Sequence, residues 1–242
     1  MVLVTGSGSG IGAGVAKILN SRGWRVIIND IDDSKANLMG QELRCFAVPG
    51  DVRFDYKKII DAVVERYGRL DALVNNAGIV KKEKLAELNN ENISEVMAIN
   101  FTAAVKLSTY SLKFLRQSKG AIINVVSFTV DHPLYNAGIY SSSKSALLTF
   151  TRQAAAEWGK YGVRVNAIGP GMIFTEMASE AYKDEKILKA REDLVPLKRI
   201  GLVDEVGTVA AFLLSNDASY VSGQCIMVDG GQSWTLSTHI PT

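Results

Sequence analysis

The run Val2-Leu3-Val4-Thr5-Gly6-Ser7-Gly8-Ser9-Gly10-Ile11-Gly12 decides how the chain is read. A short apolar, strand-like segment ends in a cluster of glycines, and helical period begins at Ile11, so the glycines occupy a strand-to-helix turn. Lacking Cβ atoms, they let the backbone turn sharply and let a phosphate approach closely, while free amides and the positive end of the next helix face its charge. A flexible turn would account for the glycines alone. Their position between strand and helix favours a pyrophosphate held at Gly6, Ser9, Gly10, Ile11 and Gly12, although Gly6-x3-Gly10-x-Gly12 departs from the G-x-G-x-x-G spacing.

Working outward, short runs rich in valine and isoleucine alternate with longer segments of helical period. Seven strands are expected at Val2–Val4, Arg25–Asn29, Cys45–Val48, Ala72–Val74, Ala121–Val126, Val163–Ile168 and Gln224–Val228. Helices are expected at Ile11–Arg22, Ser34–Leu43, Asp55–Tyr67, Ile93–Leu115, Tyr140–Lys160 and Asp204–Leu214. The pattern is that of an α/β fold: a doubly wound, seven-stranded, mostly parallel sheet with helices on both faces. Nothing marks a domain boundary, so residues 1–242 are expected to form one domain. The polar excursion at about 172–196, which includes Glu180, Tyr182 and Lys186, is too long for an ordinary connection and is the candidate substrate lid.

The second strand ends at Asp30, close to the roughly 20-residue offset at which an acid meets the adenosine ribose in such units. A carboxylate there accepts hydrogen bonds from both ribose hydroxyls and would repel a 2′-phosphate, so NAD is expected over NADP. The alternative is that Asp30 caps a strand or turn, as Asp32 and Asp33 do in this reading.

The chain of 242 residues is 47% hydrophobic and 21% charged, enough to bury a core without staples. No stretch reaches the roughly 18 consecutive apolar residues of a membrane helix, and the first strand-like run begins at Val2, so a cytoplasmic protein without membrane association is expected. Cys45 and Cys225 lack metal-ligand spacing and are expected to be reduced structural thiols. The net charge of +2, evenly scattered, gives no nucleic-acid surface. Lys81-Lys82-Glu83-Lys84 reads as a solvated loop.

Tyr140 and Lys144 stand at i and i+4 near the start of a long helix, so their side chains project from one face. A free phenol, with a pKa of about 10, is a poor base at neutral pH, but an adjacent ammonium and a cationic oxidised nicotinamide both favour its ionised form. A second Tyr-x3-Lys pair, Tyr182 and Lys186, competes. Ser127 precedes Tyr140 just past a buried strand, whereas Gly169 stands at the equivalent distance before Tyr182 in charged surroundings, so Tyr182 is taken as the decoy.

With these motifs in order the sequence resembles the classical short-chain dehydrogenase/reductase family over nearly its whole length, which implies a Rossmann-like fold. The resemblance rests on Thr5-Gly6-x3-Gly10-x-Gly12, Asp51-Val52, Asn75-Asn76-Ala77-Gly78, Asn100, Ser127, Tyr140-x3-Lys144, and Pro170-Gly171 followed by Thr175. It implies that Tyr140 is the general acid/base, that Lys144 holds the nicotinamide ribose and lowers the tyrosine pKa, that Ser127 hydrogen-bonds the reacting oxygen, and that Asn100 supports a water-borne proton relay. Bottom-up chemistry gives the catalytic roles too, because a carbonyl becoming an alkoxide needs preorganised donors and a tuned proton source. No metal is required. The resemblance also implies that adenine lies beside Asp51 and Val52, the adjacent ribose near Asn76, Ala77 and Gly78, and the carboxamide near Pro170, Gly171, Ile173 and Thr175. Asn76 could alternatively be a turn residue holding strands together. Val126 stands where many relatives carry Ser or Gly, a departure expected to alter packing only.

For a small-molecule substrate the resemblance implies a pocket at the carboxyl ends of the strands, walled by the loop after Ser127 and the segment after Gly171. His132, Tyr135 and Asn136 could bind a polyol or sugar; Phe128, Leu134 and Met172 could line an apolar slot. His132 reads equally as an exposed loop histidine. A sugar, polyol or other secondary-alcohol dehydrogenase is the first reading and a 3-oxoacyl-thioester (acyl-carrier-protein) reductase the second, with Asp30 favouring the first. A catalytically silent NAD-sensing or structural subunit is the reading from another class, disfavoured by the intact Asn100, Ser127, Tyr140 and Lys144. The resemblance implies a homotetramer, or a homodimer. The stripe Ala146, Phe150, Ala154 and Trp158 suits either an interface or the core, and the tail Trp234–Thr242 either closes over a neighbour or frays.

Overall fold

The computed structural model describes residues 1–175 and 182–235 of the chain. The valine- and isoleucine-rich runs form strands, buried on both faces in the middle of the sheet, where helices cover its two sides, and half-buried at its two edges. The first part of the chain alternates β1 (Val2–Thr5), α1 (Gly10–Ser21), β2 (Val26–Asn29), α2 (Asp33–Leu43), β3 (Phe46–Ala47), α3 (Tyr56–Tyr67) and β4 (Ala72–Asn75). Then come α4 (Asn90–Met97), α5 (Ala104–Ser118), β5 (Ala121–Val125), α6 (Tyr140–Trp158) and β6 (Arg164–Pro170). A small pair, β7 (Ile173–Phe174) and β8 (Gly201–Leu202), brackets α7 (Glu185–Leu194), and α8 (Val203–Leu214) leads to β9 (Cys225–Val228).

The seven strands expected from sequence form one sheet in the order β3-β2-β1-β4-β5-β6-β9, with every pairing parallel. Val2 of β1 faces Val26 on one side and Ala72 on the other, so the strand order reverses at β1 and β4. The connections leaving those strands therefore part to opposite faces and open a crevice at their carboxyl ends. Alternation along the strands divides the core. Val2, Val4 and Ile28 pack with Val15, Leu19, Val206 and Leu213 on the α1/α8 side. Leu3, Ile27 and Ile122 pack with Ile60, Leu107 and Trp158 on the α3/α5/α6 side. Ala154 and Trp158 thus belong to the core, with the Phe150 and Trp158 rings edge to face at 5.9 Å. Val126 is also a packing residue, in a cluster with Ala104, Leu147 and Leu148. Among the described residues no helix is long and apolar enough to cross a membrane.

Three expectations need correction. The single helix Ile93–Leu115 is two helices joined by a π-helical turn, Ala98–Ala103. One extra residue in a turn leaves the apolar period almost intact, so the insertion does not register in the pattern. The excursion at 172–196 contains a helix, α7, started by Asp184, whose Oδ1 accepts from the amides of Lys186 and Ile187; residues 176–181 lie outside the described part. The loop Lys81-Lys82-Glu83-Lys84 is tied down rather than merely solvated. Lys81 pairs with Glu95 at 2.9 Å, and the Glu83 backbone bonds to Asn136 and Gly138.

Two glycines set how closely α1 and α8 approach. A Cβ at Gly207 would lie 2.9 Å from the Gly14 carbonyl oxygen and 2.9 Å from Ile18 Cγ1, and one at Gly14 would lie 2.6 Å from Val203 Cβ. Gly207→Ala adds about 1 kcal/mol of helix propensity but forces two backbones apart, and overpacking of that kind costs about 1–3 kcal/mol. A net loss of stability is expected, visible as a lower urea midpoint; an unchanged or higher midpoint would mean the helices are not in contact there.

Candidate active site

The chemistry of the site begins with the two loops that leave β1 and β4. Gly6 and Gly10 have φ of +60° and +57°, left-handed conformations that favour glycine. A Cβ at Gly12 would sit 2.2 Å from the Gly6 carbonyl oxygen, so the loop closes on itself as a tight nest. Among the described residues, a Cβ at Gly10 would meet Thr175 alone, at 3.9 Å. The N-cap residue Ser9 gives no side-chain bond to α1, and the first turn of the helix carries no acid. Neither the N-cap side chain nor an acid of the first turn takes up its leading amides and positive end, which fits a dinucleotide phosphate.

Asn76 stabilises this nest from the neighbouring loop. Its Nδ2 donates to the carbonyls of Thr5 at 2.9 Å and Gly6 at 3.0 Å, while Thr5 Oγ1 accepts from the amides of Asn76 and Ala77. The described contacts of the Asn76 side chain are thus structural, joining the β1 and β4 loops. Asp30 lies at the end of β2, where its Oδ2 accepts from Gly8 N at 2.9 Å and its Oδ1 from Asp32 N at 3.1 Å. It holds a turn, as the alternative reading had it, and the same bond keeps its carboxylate against the glycine nest. Asp51 is gripped by Arg53, through Nη2 at 2.6 Å and Nε at 2.9 Å, and this pairing holds its carboxyl below the usual range. Val52 beside it is buried.

Ser127, Tyr140 and Lys144 meet at the carboxyl end of β5. Ser127 follows that strand and opens a short 3-10 turn, its Oγ accepting from Thr129 N at 3.2 Å. Tyr140 is the first residue of α6 and bonds to Ser127. Burial raises the phenol above its ordinary 10, and the Ser127 bond only partly offsets this. Lys144, one turn on, is 4% exposed and donates to the Val125 carbonyl at 2.8 Å, with Nζ 5.9 Å from the Tyr140 ring centre. Burial pushes its ammonium down to about 8 from 10.5. No described carboxylate pairs with it, and two of its three donors remain after the Val125 bond. In the protein alone, burial dominates the phenol.

Asn100 sits in the π turn, 1% exposed. Its Oδ1 accepts from Ile79 N at 2.8 Å, and its Nδ2 donates to Ile79 O at 2.9 Å and to Ser143 Oγ at 3.0 Å. Both amide hydrogens are committed inside the protein, so the described work of the side chain is to hold Ile79 and Ser143. A Cβ at Gly78 would stand 3.2 Å from both Asn100 Oδ1 and Lys144 Nζ, so the three residues converge. Pro170 ends β6, and a Cβ at Gly171 would strike Asp229 at 2.6 Å. Ile173 is buried, Met172 is half-buried, and His132, Leu134, Tyr135 and Asn136 are exposed on the loop between Ser127 and α6.

Tyr182 is buried and stacked on Phe174, ring centres 5.4 Å apart, with the Arg191 guanidinium over it at 5.2 Å. It is a packing residue beside β7. Sequence reasoning passed over Ile79 and Ser143 and used Thr5 only as the first residue of the glycine motif. Of these, Ser143 carried a usable signal, standing at i+3 from Tyr140 on the same helix face.

Comparison with known proteins agrees with this geometry. A family model described as enoyl-(acyl carrier protein) reductase matches residues 6–233. The chain is 34% identical to levodione reductase of Leifsonia aquatica, over 96% of this chain and 94% of that one. It is similar to the crystal structure of a putative gluconate dehydrogenase from Agrobacterium tumefaciens, with a TM-score of 0.93, 33% identity, and 98% of this chain and 96% of that one covered. A gluconate 5-dehydrogenase from Burkholderia cenocepacia, solved in complex with NADP and tartrate, gives a TM-score of 0.90 at 29% identity, covering 96% and 94% of the two chains.

Keeping an ammonium at position 144 costs stability. With a folded-state pKa near 8 against 10.5 in the open chain, the unfolded protein holds the proton more tightly, so the cost is full at pH 7 and fades as pH rises from about 8 to 10.5. Lys144→Met is expected to stabilise the protein by about 1–2 kcal/mol at pH 7, after loss of the bond to Val125, with the difference shrinking above pH 8. Urea denaturation at several pH values checks this; a less stable variant at pH 7, or a pH-independent difference, would contradict it.

Proposed function

This chain belongs to the short-chain dehydrogenase/reductase family of oxidoreductases, and from that premise we propose that it is an NAD-dependent enzyme interconverting a secondary alcohol and a ketone, with a sugar or polyol as the favoured substrate class. The observation that carries this reading is the meeting of the Ser127 hydroxyl, the Tyr140 phenol and the buried Lys144 ammonium at the carboxyl end of β5. The bound dinucleotide would supply or accept a hydride at its nicotinamide ring.

The nest at Gly6, Ser9, Gly10, Ile11 and Gly12 would hold the pyrophosphate, Asp30 the adenosine ribose, and Asp51 with Val52 the adenine edge. Asn76, Ala77 and Gly78 would border the second ribose, and Pro170, Gly171, Ile173 and Thr175 the carboxamide. At the reacting oxygen Ser127 donates a hydrogen bond, and Tyr140 gives or takes the proton. The phenol needs positive charge nearby to ionise, and Lys144 brings one that burial leaves weakly screened. Asn100 would support a water-borne path by which the proton reaches solvent. Met172 and His132 would face the substrate. A homotetramer, or a homodimer, in the cytoplasm is the expected form. Similarity to the two gluconate dehydrogenase structures supports a hydroxylated substrate. A 3-oxoacyl-thioester reductase is the second reading; the description of the family model shares with it the acyl-carrier-protein substrate, though for an enoyl group. Against it stands the negative charge of Asp30 beside the nest, which would repel the 2′-phosphate of NADPH.

Absorbance of reduced cofactor, followed with a panel of sugars, polyols, other secondary alcohols and hydroxyacyl thioesters, tests the reading. Tyr140→Phe is expected to lower kcat by at least about a hundredfold while leaving NAD binding within about twofold; substantial remaining turnover would move the proton step elsewhere. Asp30→Ala is expected to narrow the preference for NAD over NADP, and a wild-type protein that already prefers NADP would refute the cofactor assignment.

A further inference from the structure

One fully buried hydroxyl in the site has no part in the reading above. Ser143 is 0% exposed, and its Oγ donates to the Tyr140 carbonyl at 2.6 Å and accepts from Asn100 Nδ2 at 3.0 Å. A hydroxyl has a single proton and each partner offers one polarity, so the chain runs one way, from the Asn100 amide through Ser143 to the Tyr140 carbonyl. We propose that Ser143 is a positioning residue whose hydroxyl couples the π turn to the first turn of α6 and so sets where Tyr140 and Lys144 stand against the loop after β4.

The bond to Tyr140 alone would be an ordinary local contact of a helical serine. The bond to Asn100 is not, since it spans 43 residues and reaches the turn that breaks the helix expected at Ile93–Leu115. The same carboxamide grips both the amide and the carbonyl of Ile79, so one unit of three residues joins the β4 loop, the π turn and α6. The N-cap residue of α6 is Ile139, which gives the helix no side-chain cap, so its first turn is held by side chains further in: Ser141 accepts from Leu134 N at 3.3 Å, Lys144 donates to Val125, and Ser143 alone ties it to the π turn among the described bonds. Gly78 carries the coupling further: the space beside its Cα is bounded by Asn100 Oδ1 and Lys144 Nζ together. Hydrogen bonds in such a dry chain strengthen one another, and loss of the middle member leaves a buried Asn100 amide hydrogen to find a new partner, while the Tyr140 carbonyl keeps only its helical bond. Displacement then falls on the two residues whose placement the chemistry needs.

The inference rests on the oxidoreductase reading, and its test includes a readout that needs no turnover. The groups facing the Tyr140 phenol are Ser127 and Lys144. In Ser143→Ala, NMR titration of tyrosine labelled at Cζ, with the Tyr140 signal assigned from Tyr140→Phe, is expected to move by about half a pH unit or more towards the ordinary value of 10 as water reaches the phenol. With a substrate in hand, kcat is expected to fall about 10- to 100-fold while KM for NAD stays within about twofold. Ser143→Cys, which keeps a weak donor, should recover part of both effects, and it serves as the test variant if Ser143→Ala does not fold. A variant with reduced urea stability but wild-type kcat and an unmoved Tyr140 titration would make Ser143 merely structural and overturn the proposal. A wild-type protein without turnover on the whole panel would refute the oxidoreductase reading instead, and the titration would still decide the role of Ser143.

Discussion

An ammonium buried without a carboxylate partner is costly, and the rest of the site is arranged around the one at Lys144. Its described bond is to the Val125 carbonyl, at the edge of the sheet where β5 ends, and burial alone pushes it down to about 8. A carboxylate at that place would neutralise it and hold it high. A backbone carbonyl keeps it charged yet poised, and leaves two of its donors for other work. Because the amine is pinned to β5 and the phenol to Ser127 just beyond the same strand, the pair is referenced to the sheet rather than to a loop.

That reference depends on polar groups within an otherwise apolar core. Asn75 and Asn124 stand opposite each other in β4 and β5 and bond at 2.8 Å, with Asn75 also on Ser108 of α5 and Asn124 on Thr151 of α6. This ladder fixes the two helices against the sheet below the site, as Asn100 and Ser143 do at its rim. Charge is sorted along the same axis. Arg22 and Arg44 cap the carboxyl ends of α1 and α2, Arg66 lies in the last turn of α3, and Lys119 caps α5, where cations complement helix dipoles. At the opposite ends, α2 is capped by Asp32, whereas the N-cap residue of α1 makes no side-chain cap.

Much of this was legible in the residues. The glycine turn, the seven strands and the i, i+4 pair follow from local rules that the tertiary structure does not override, and the contrast between Ser127 and Gly169 was enough to separate Tyr140 from Tyr182. Three things were not legible. The π turn adds a single residue to a helical period and so hides in it. The pKa of Tyr140 depends on burial, which no spacing reports, and the protein alone raises it. The tie between Asn100 and Ser143 is a long-range contact, and helical spacing puts Ser143 on the face of Tyr140 without naming Asn100 as its partner. Asn76 and Asp30 differ in kind: bonds within the protein explain much of their presence, and any contact with cofactor would add to a structural task.

The central claim is that the Tyr140–Lys144 pair faces a nicotinamide held by the glycine nest. A crystal structure of the protein with NAD tests it most directly. The account predicts the pyrophosphate at the amino end of α1, Lys144 Nζ within about 3 Å of a hydroxyl of the nicotinamide ribose, and the Tyr140 hydroxyl on the side of the reactive ring carbon. A dinucleotide bound elsewhere, or bound in the nest with Tyr140 turned from the ring and Lys144 engaged only by Val125, would contradict it.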